Sequence, residues 1–219
     1  MQLDHTLRAS IAERLRCFAL QPLPAPGPRR AAVALAIVEE GFGAALPGIP
    51  APTAWSREAA VLLTRRPTHM RNHPRQWALP GGSIDGDETP EQAALRELHE
   101  EVGLRLDESA VLGRLDDFAT HSGFAITPVV VWAGAARELV PSEAEVESIH
   151  RIPIAEFMRA DAPLLDPIED SVHPVLRMPV GDTWIAAPTA AFLYQFREWC
   201  LAGRMTRVAH FEQPLFARK

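Results

Sequence analysis

The sequence predicts an α/β protein, a mixed sheet with helices on its faces. Three observations predict it. Two strand-sized apolar runs, AAVALAIV (31–38) and EAAVLLTRR (58–66), are bounded by loop-forming residues. Stretches at both ends of the chain and one in the middle carry helical spacing instead. The second half then alternates strand signals with turns, as a sheet with covered faces requires.

The elements follow in chain order. Leu3, Leu7, Ile11, Leu15 and Phe18 fall at helical spacing, which predicts an amphipathic first helix over 3–18. Pro22, Pro24, Pro26 and Pro28 then make 21–30 an extended linker. After the 31–38 strand, residues 40–57 are rich in Gly, Pro and Ala and read as a loop, which leads into the 58–66 strand. Pro67 to Gln76 is polar and basic, and WALPGG (77–82) reads as a short strand ending in a glycine turn. Thr89 caps a helix that starts with Pro90, runs to Val102 and closes on a left-handed Gly103. Further strands are expected at Leu115–Ala119, Ala125–Ala133, Ser148–Pro153 and Val175–Val180, with Pro128 asking for an edge position or a bulge. A last helix, Thr189–Leu201, sets Phe192, Phe196 and Trp199 on one side. The 219 residues suit one domain with additions: a helix and Pro-rich linker (1–30), the main domain (31–205) and a tail (206–219).

Composition removes several functions. A net charge of −6 argues against a nucleic acid polymer as partner, while a small anionic ligand still fits a local basic patch. The two cysteines, Cys17 and Cys200, form no Cys-x-x-Cys pair and read as reduced, mostly buried thiols. No apolar run is long enough to span a bilayer and the N-terminus lacks a signal-like core, so the expected location is cytoplasmic, with no membrane partner. No G-x-S-x-G elbow supports a serine hydrolase.

The chemistry concentrates in residues 82–104. Glu97, Glu100 and Glu101 stand at i, i+3 and i+4 and share one helix face. Ala94, Leu95, Leu98 and Val102 lie on roughly the opposite face and anchor the helix. Like charges at that spacing each destabilise a helix by roughly 0.2–0.5 kcal/mol. A hard divalent cation, Mg²⁺ or Mn²⁺, turns that repulsion into a binding site, since both prefer oxygen ligands. Arg96 and Glu88 can pair across loop and helix, and Gly81 and Gly82 allow close backbone approach, so that a carbonyl there adds an oxygen ligand. A lone E-x-x-E-E is more often a solvated acidic face.

This segment, however, matches every fixed position of the Nudix box, G-x5-E-x7-R-E-U-x-E-E-x-G-U, from Gly82 through Glu88, Arg96, Glu97, Glu100, Glu101 and Gly103 to Leu104. It resembles the Nudix hydrolases. The resemblance implies a Nudix α/β/α sandwich with a mixed central sheet, Mg²⁺ or Mn²⁺, and hydrolysis of a nucleoside diphosphate linked to another group. It implies Glu97 and Glu101 as principal metal ligands, assisted by Glu100 and the Gly81 carbonyl.

Upstream, Leu62, Leu63, Thr64, Arg66, Arg71, Pro80, Gly81 and Gly82 match in register the coenzyme A diphosphatase signature L-L-T-x-R-[SA]-x3-R-x3-G-x3-F-P-G-G. Pro67, Arg75 and Leu79 depart from it, Arg75 standing where the signature has glycine. His121-Ser122-Gly123 before Thr127-Pro128-Val129-Val130, Glu145-Val146 before Ile152-Pro153, and Trp184-Ile185 before Thr189-Ala190 extend the likeness over roughly residues 31–200. It implies that Arg66, Arg71, Gly82, Ser122 and Gly123 meet the substrate and that coenzyme A yields 3′,5′-ADP and 4′-phosphopantetheine. Physically, Arg65, Arg66, Arg71 and Arg75, with His69, His73, Arg29 and Arg30 as neighbours, make a basic patch suited to phosphates. The expected mechanism is attack by water on one phosphorus, with Glu100 from the box or Glu145 from a later loop as base, Glu143 and Glu147 as rivals to Glu145, and Arg96 with Glu88 completing the catalytic set. ADP-ribose, NADH or a dinucleotide are the alternative substrates, and nucleotide sensing without cleavage the alternative class. His99 reads as structural, His121 as a turn residue, and a homodimer is left open.

Overall fold

A computed structural model describes residues 1–21, 23, 29–68, 75–169 and 171–214. The elements are α1 (His5–Arg16), β1 (Arg29–Gly41), β2 (Ser56–Arg65), β3 (Trp77–Ala78), β4 (Gly81–Ser83), α2 (Pro90–Val102), β5 (Val111–Arg114), β6 (Phe118–Ala119), β7 (Phe124–Gly134), β8 (Ser148–Pro153), α3 (Ile154–Phe157), β9 (Leu164–Ile168), β10 (Ser171–Val180), β11 (Thr183–Ala186) and α4 (Thr189–Gln195).

The main sheet runs β3-β2-β1-β7-β5, with β4 also on β1, β6 on β7 and β8 on β2. It is mixed because β1 and β7 are parallel, from Arg29 opposite Phe124 to Val38 opposite Gly134, while the other pairs are antiparallel. The parallel pairing carries β1 beyond the 31–38 run at its start, and antiparallel pairing with β2 carries it on to Gly41 at its end. The apolar, unalternating sequence of β1 has a direct cause: both faces are covered. Ala32, Ala34, Ala36 and Val38 pack with Ala93, Ala94, Leu98 and Val102 of α2. Leu35 and Ile37 point the other way, into a core with Ile11 and Leu15 of α1 and Phe192 of α4. The sheet thus sits between helices, the α/β/α arrangement expected. A second sheet, β11-β10-β9, flanks it, and only the 175–180 part of it was expected from sequence.

Three elements differ in detail from the sequence expectation. WALPGG is two short strands, and its glycines are a strand and not a turn: Gly81 and Gly82 sit opposite Val33 and Ala32 of β1. The expected Leu115–Ala119 strand is the gap between β5 and β6 plus β6 itself. Pro128 is interior, between β1 and β5, and tolerated because it faces that gap; its carbonyl accepts from the Leu115 N–H at 3.0 Å while its missing N–H has no ladder partner to lose. The last helix is α-helical only to Gln195 and continues as a π-helical turn over Phe196–Leu201, with Trp199 half-buried against Phe18 at 5.5 Å.

Both ends of the chain pack on this frame. Asp4 caps α1 by accepting from the Leu7 N–H at 2.8 Å, and Trp199 donates to the Arg14 carbonyl at 2.8 Å. Arg207 forks onto the buried Asp116 at 2.8 and 2.9 Å, and Val208 is fully buried. No helix among the described residues is long and apolar enough to cross a membrane.

The two cysteines are free but unlike: Cys200 is buried and its thiol pushed up to about 12 by that burial, whereas Cys17, expected to be mostly buried, is exposed. The thiolate is the reactive form. A thiol reagent should therefore titrate one thiol per native chain rapidly, the second only in denaturant; two fast thiols would contradict the packing of Cys200.

Candidate active site

Helix α2 carries the acidic residues, and its placement follows from small side chains. Thr89 and Gln92 form a reciprocal capping box at its start, and Gly103 ends it with φ of 72°. Alanines on both partners, Ala32, Ala34 and Ala36 on the strand and Ala93 and Ala94 on the helix, let the backbones close in. Glu101 is drawn under the helix with only 7% of its surface exposed, although the sequence pattern set it on the polar face. Glu97 lies beside it, nearly as covered.

Strand β4 is glycine because nothing larger fits. A Cβ on Gly82 would stand 2.2 Å from Glu97 Oε1, and one on Gly81 would stand 2.4 Å from the main-chain oxygen of Ala32. The Gly81 N–H donates to the Glu101 carboxylate. Two glycines therefore hold two carboxylates against one strand.

The electrostatics are strained. Burial pushes Glu101 up from the ordinary 4.5 to about 8, Glu97 and Glu145 push the same way, and the Gly81 hydrogen bond and Arg66 oppose them. Burial raises Glu97 as well, against the Arg96 hydrogen bond, with Glu100 and Glu145 adding to the rise. Arg96 is the organiser. Its Nε and Nη2 fork onto Glu88 at 2.9 and 3.1 Å, Nη2 also donates to the Ser83 carbonyl at 3.0 Å, and Nη1 bridges Glu97 and Glu100 at 2.8 and 3.0 Å. That contact holds Glu88 below its usual range. The Arg96–Glu88 pairing expected from sequence is present, and Glu100 stays half-exposed.

As the side chains stand, no three His, Cys, Asp or Glu groups among the described residues converge on one point, since Glu100 is turned onto Arg96. Glu97 and Glu101 are nevertheless a buried, mutually repelling oxygen pair that one arginine leaves undercompensated. A hard divalent cation fits that donor set.

Glu145 reaches the same place from a loop stitched to the end of α2: Val140 N–H donates to Val102 O at 3.0 Å and Ser142 N–H to Glu101 O at 2.8 Å, and Val146 is buried. All three of Glu143, Glu145 and Glu147 are exposed; the Glu145 charge acts on Glu97 and Glu101, whereas that of Glu147 acts on Arg65.

A cavity of about 700 Å³ opens at the glycine strand. Gly82, Arg66 and Ser122, three of the residues singled out from sequence, line it; the Arg66 Nε is buried with no hydrogen-bond partner among the described residues. Gly123 does not line it but sets the turn, with φ of 82° and its carbonyl accepting from the Arg29 N–H at 2.9 Å. His121 lines it while its ring stands 3.0 Å from Glu212. His99 is exposed. Arg71, His69 and His73 lie outside the described residues. Sequence reasoning missed Trp77, Phe124 and Gln213, and named Arg29 only as a neighbour; Arg29 lies over the Phe124 ring at 4.1 Å. Phe124 follows Ser122-Gly123 directly, a signal that was available; Gln213 had none.

Arg75, where the signature has glycine, takes φ of 61°. The turn survives: Arg75 N–H donates to Arg66 O and Arg66 N–H to Gln76 O, both at 3.0 Å. A left-handed non-glycine residue costs about 1–2 kcal/mol.

Comparison with known proteins agrees with this geometry. The NUDIX domain family model matches residues 49–174, which include β4, α2 and the Glu145 loop. The chain belongs to the Nudix family. It is 38% identical over 109 residues to the Nudix hydrolase NudL of Enterobacter sp. (strain 638), covering 49% of this chain and 57% of that one. It is 35% identical over 115 residues to Nudix hydrolase 3 of Caenorhabditis elegans, covering 51% and 48%. The chain thus spans about half the length of the curated relatives it matches. Among solved structures, a NUDIX hydrolase from Alicyclobacillus acidocaldarius is 20% identical, with 76% of this chain and 90% of that chain covered and a TM-score of 0.49.

Two predictions follow from the site's packing. Gly81→Ala should lower stability by about 1–3 kcal/mol, because its Cβ meets main chain, whereas Gly82→Ala should lower it less, because the Glu97 carboxylate can swing away. Denaturant midpoints check the order; the reverse order would contradict it. The second concerns pH in chelator. Below 4.5, Glu101 is protonated in both folded and unfolded chains; between 4.5 and about 8 only the unfolded chain ionises, so stability falls as pH rises; above about 8 the whole penalty is present. The difference between Glu101→Gln and wild type should therefore grow in the variant's favour across that window. Parallel stability–pH curves would show that Glu101 ionises normally.

Proposed function

We propose that this chain is a metal-dependent diphosphatase that cuts the diphosphate of a small nucleotide-linked molecule, with coenzyme A and its derivatives as the preferred class. The observation that carries the reading is Gly82, which lines the large cavity and stands against the Glu97 carboxylate, so that a phosphate seated there meets the acidic pair. The sequence register of Leu62, Leu63, Thr64 and Arg66 supports coenzyme A, and the Arg75 turn survives the loss of glycine.

Glu97 and Glu101, with Glu100 and the Gly81 carbonyl assisting, are the groups suited to hold Mg²⁺ or Mn²⁺. Once bound, such an ion neutralises phosphate oxygens and makes water a stronger nucleophile. The chain's own residues do the rest. Arg66 offers a phosphate oxygen an N–H that is unpartnered among the described residues. Water attacks one phosphorus, a carboxylate takes its proton, the bond from that phosphorus to the bridging oxygen breaks, and the second phosphate leaves. Glu145 is assigned as base, since Glu100 is held by Arg96. Arg96 and Glu88 act as positioning residues, fixing Glu97 and the β4 backbone. Ser122 stands in the far wall, where Gly123 sets the turn that places it.

The test is a product assay with Mg²⁺ or Mn²⁺ over coenzyme A species, ADP-ribose, NADH and dinucleoside polyphosphates. Coenzyme A species should be cut fastest, to 3′,5′-ADP and 4′-phosphopantetheine, and activity should vanish in EDTA. Glu101→Gln should lose at least about a hundredfold in rate, near 2.7 kcal/mol of barrier, with the fold intact. Full activity in chelator would end the metal mechanism. Faster cleavage of ADP-ribose would move the substrate and leave the site assignment standing.

A further inference from the structure

A second cavity, of about 240 Å³, adjoins the first and shares Gln76, Trp77, Pro188 and Thr189 with it. Its lining includes Arg65 and Arg75, and among the described residues no carboxylate lines it. The Arg65 guanidinium is fixed, 4.0 Å from the centre of the Trp77 ring and donating to the Arg75 carbonyl at 3.2 Å. Neither arginine has a carboxylate within ion-pair distance among the described residues. Two guanidinium groups thus line one small cavity in an acidic protein; burial lowers the pKa of the half-buried Arg65, the Glu147 charge opposes this, and the Arg75 charge adds to the lowering. Gln76, Thr183 and Thr189 add neutral donors to the same walls.

Arg75 is also, with Ala45 and Ala136, one of the non-glycine residues that take a positive φ among the described residues. Glycine would adopt it freely, whereas arginine carries a charged side chain beyond the turn. What it brings is a second cation at the cavity.

We propose that Arg65 and Arg75 form an anion subsite that takes a phosphate monoester carried by the substrate apart from the diphosphate. The inference rests on the large cavity being the nucleotide site. Trp77, shared by both cavities, is the wall around which such a substrate would bend. Dianionic phosphate suits paired guanidinium groups, which present planar, bidentate donors.

Equilibrium binding tests this without turnover. The probes are adenosine 3′,5′-bisphosphate and adenosine 5′-monophosphate, measured by calorimetry on the full chain. Wild type should prefer the bisphosphate by about ten- to a hundredfold. Arg75→Gly, which also relieves the backbone, and Arg75→Gln should lose that preference at an unchanged or higher Tm, while Arg75→Lys keeps part of it. Equal affinities in wild type, no binding of the bisphosphate, or an undiminished ratio in Arg75→Gly would each overturn the subsite; the last would move the role to Arg71. Failure to hydrolyse coenzyme A would instead count against the proposed function alone, because these binding ratios do not depend on cleavage.

Discussion

The site depends on one packing constraint, the close approach of α2 to β1 and β4. Helix and strand meet through alanine, and the strand beside them is glycine. The closeness is what buries Glu101 and lays Glu97 on the Gly82 backbone. A leucine in place of Ala34 or Ala94 would lift the helix, and the carboxylates would return to water with ordinary pKa values. The alanine-rich face thus has a chemical consequence beyond its modest apolar area: it sets the dielectric in which the acids work.

That environment is unfavourable in itself. Two adjacent carboxylates lose hydration, repel each other and receive in return the Arg96 hydrogen bond on Glu97, and the Gly81 N–H and the Arg66 charge on Glu101. Arg96 cannot satisfy them fully because Glu88 and Ser83 already engage two of its nitrogens. The rest of the domain supplies the stability that tolerates this, chiefly the other core, where Leu35, Ile37, Phe118, Phe192 and Phe196 pack large side chains. The two faces of the sheet divide the labour. One is tightly filled and stabilising; the other is built of small residues and carries the strained charges.

Much of this was legible in sequence, and the reason is locality. The α2 capping box, the Gly103 stop, the Arg96–Glu88 pairing and the apolar stripe of the helix are set within a few residues of one another, so spacing alone reveals them. The burial of Glu101 was not legible, since helical spacing put it on the polar face and only the alanine-lined approach of β1 draws it in. Nor was the glycine strand: Gly81-Gly82 reads as a turn until β1 is seen opposite. Pro128 shows the same limit, as the gap between β5 and β6 that accommodates it is a property of pairing and not of composition.

The cavity walls carry the argument furthest from the box. Arg29 comes from the start of β1, Trp77 from β3, Ser122 from the turn before β7, Thr189 from α4 and Gln213 from beyond the last helix. Five segments spread along the whole chain meet only because the sheet folds back on itself, and Gln213 is held there by the His121 N–H at 2.8 Å. The acidic cluster is therefore local and can be recognised from one continuous stretch, whereas the cavity proposed to take the substrate is assembled from distant ones. A change of substrate can arise in any of those walls without touching α2. Arg75 is a case in point: it stands where the signature has glycine, is accommodated by two backbone hydrogen bonds, and lines a cavity that the box does not reach.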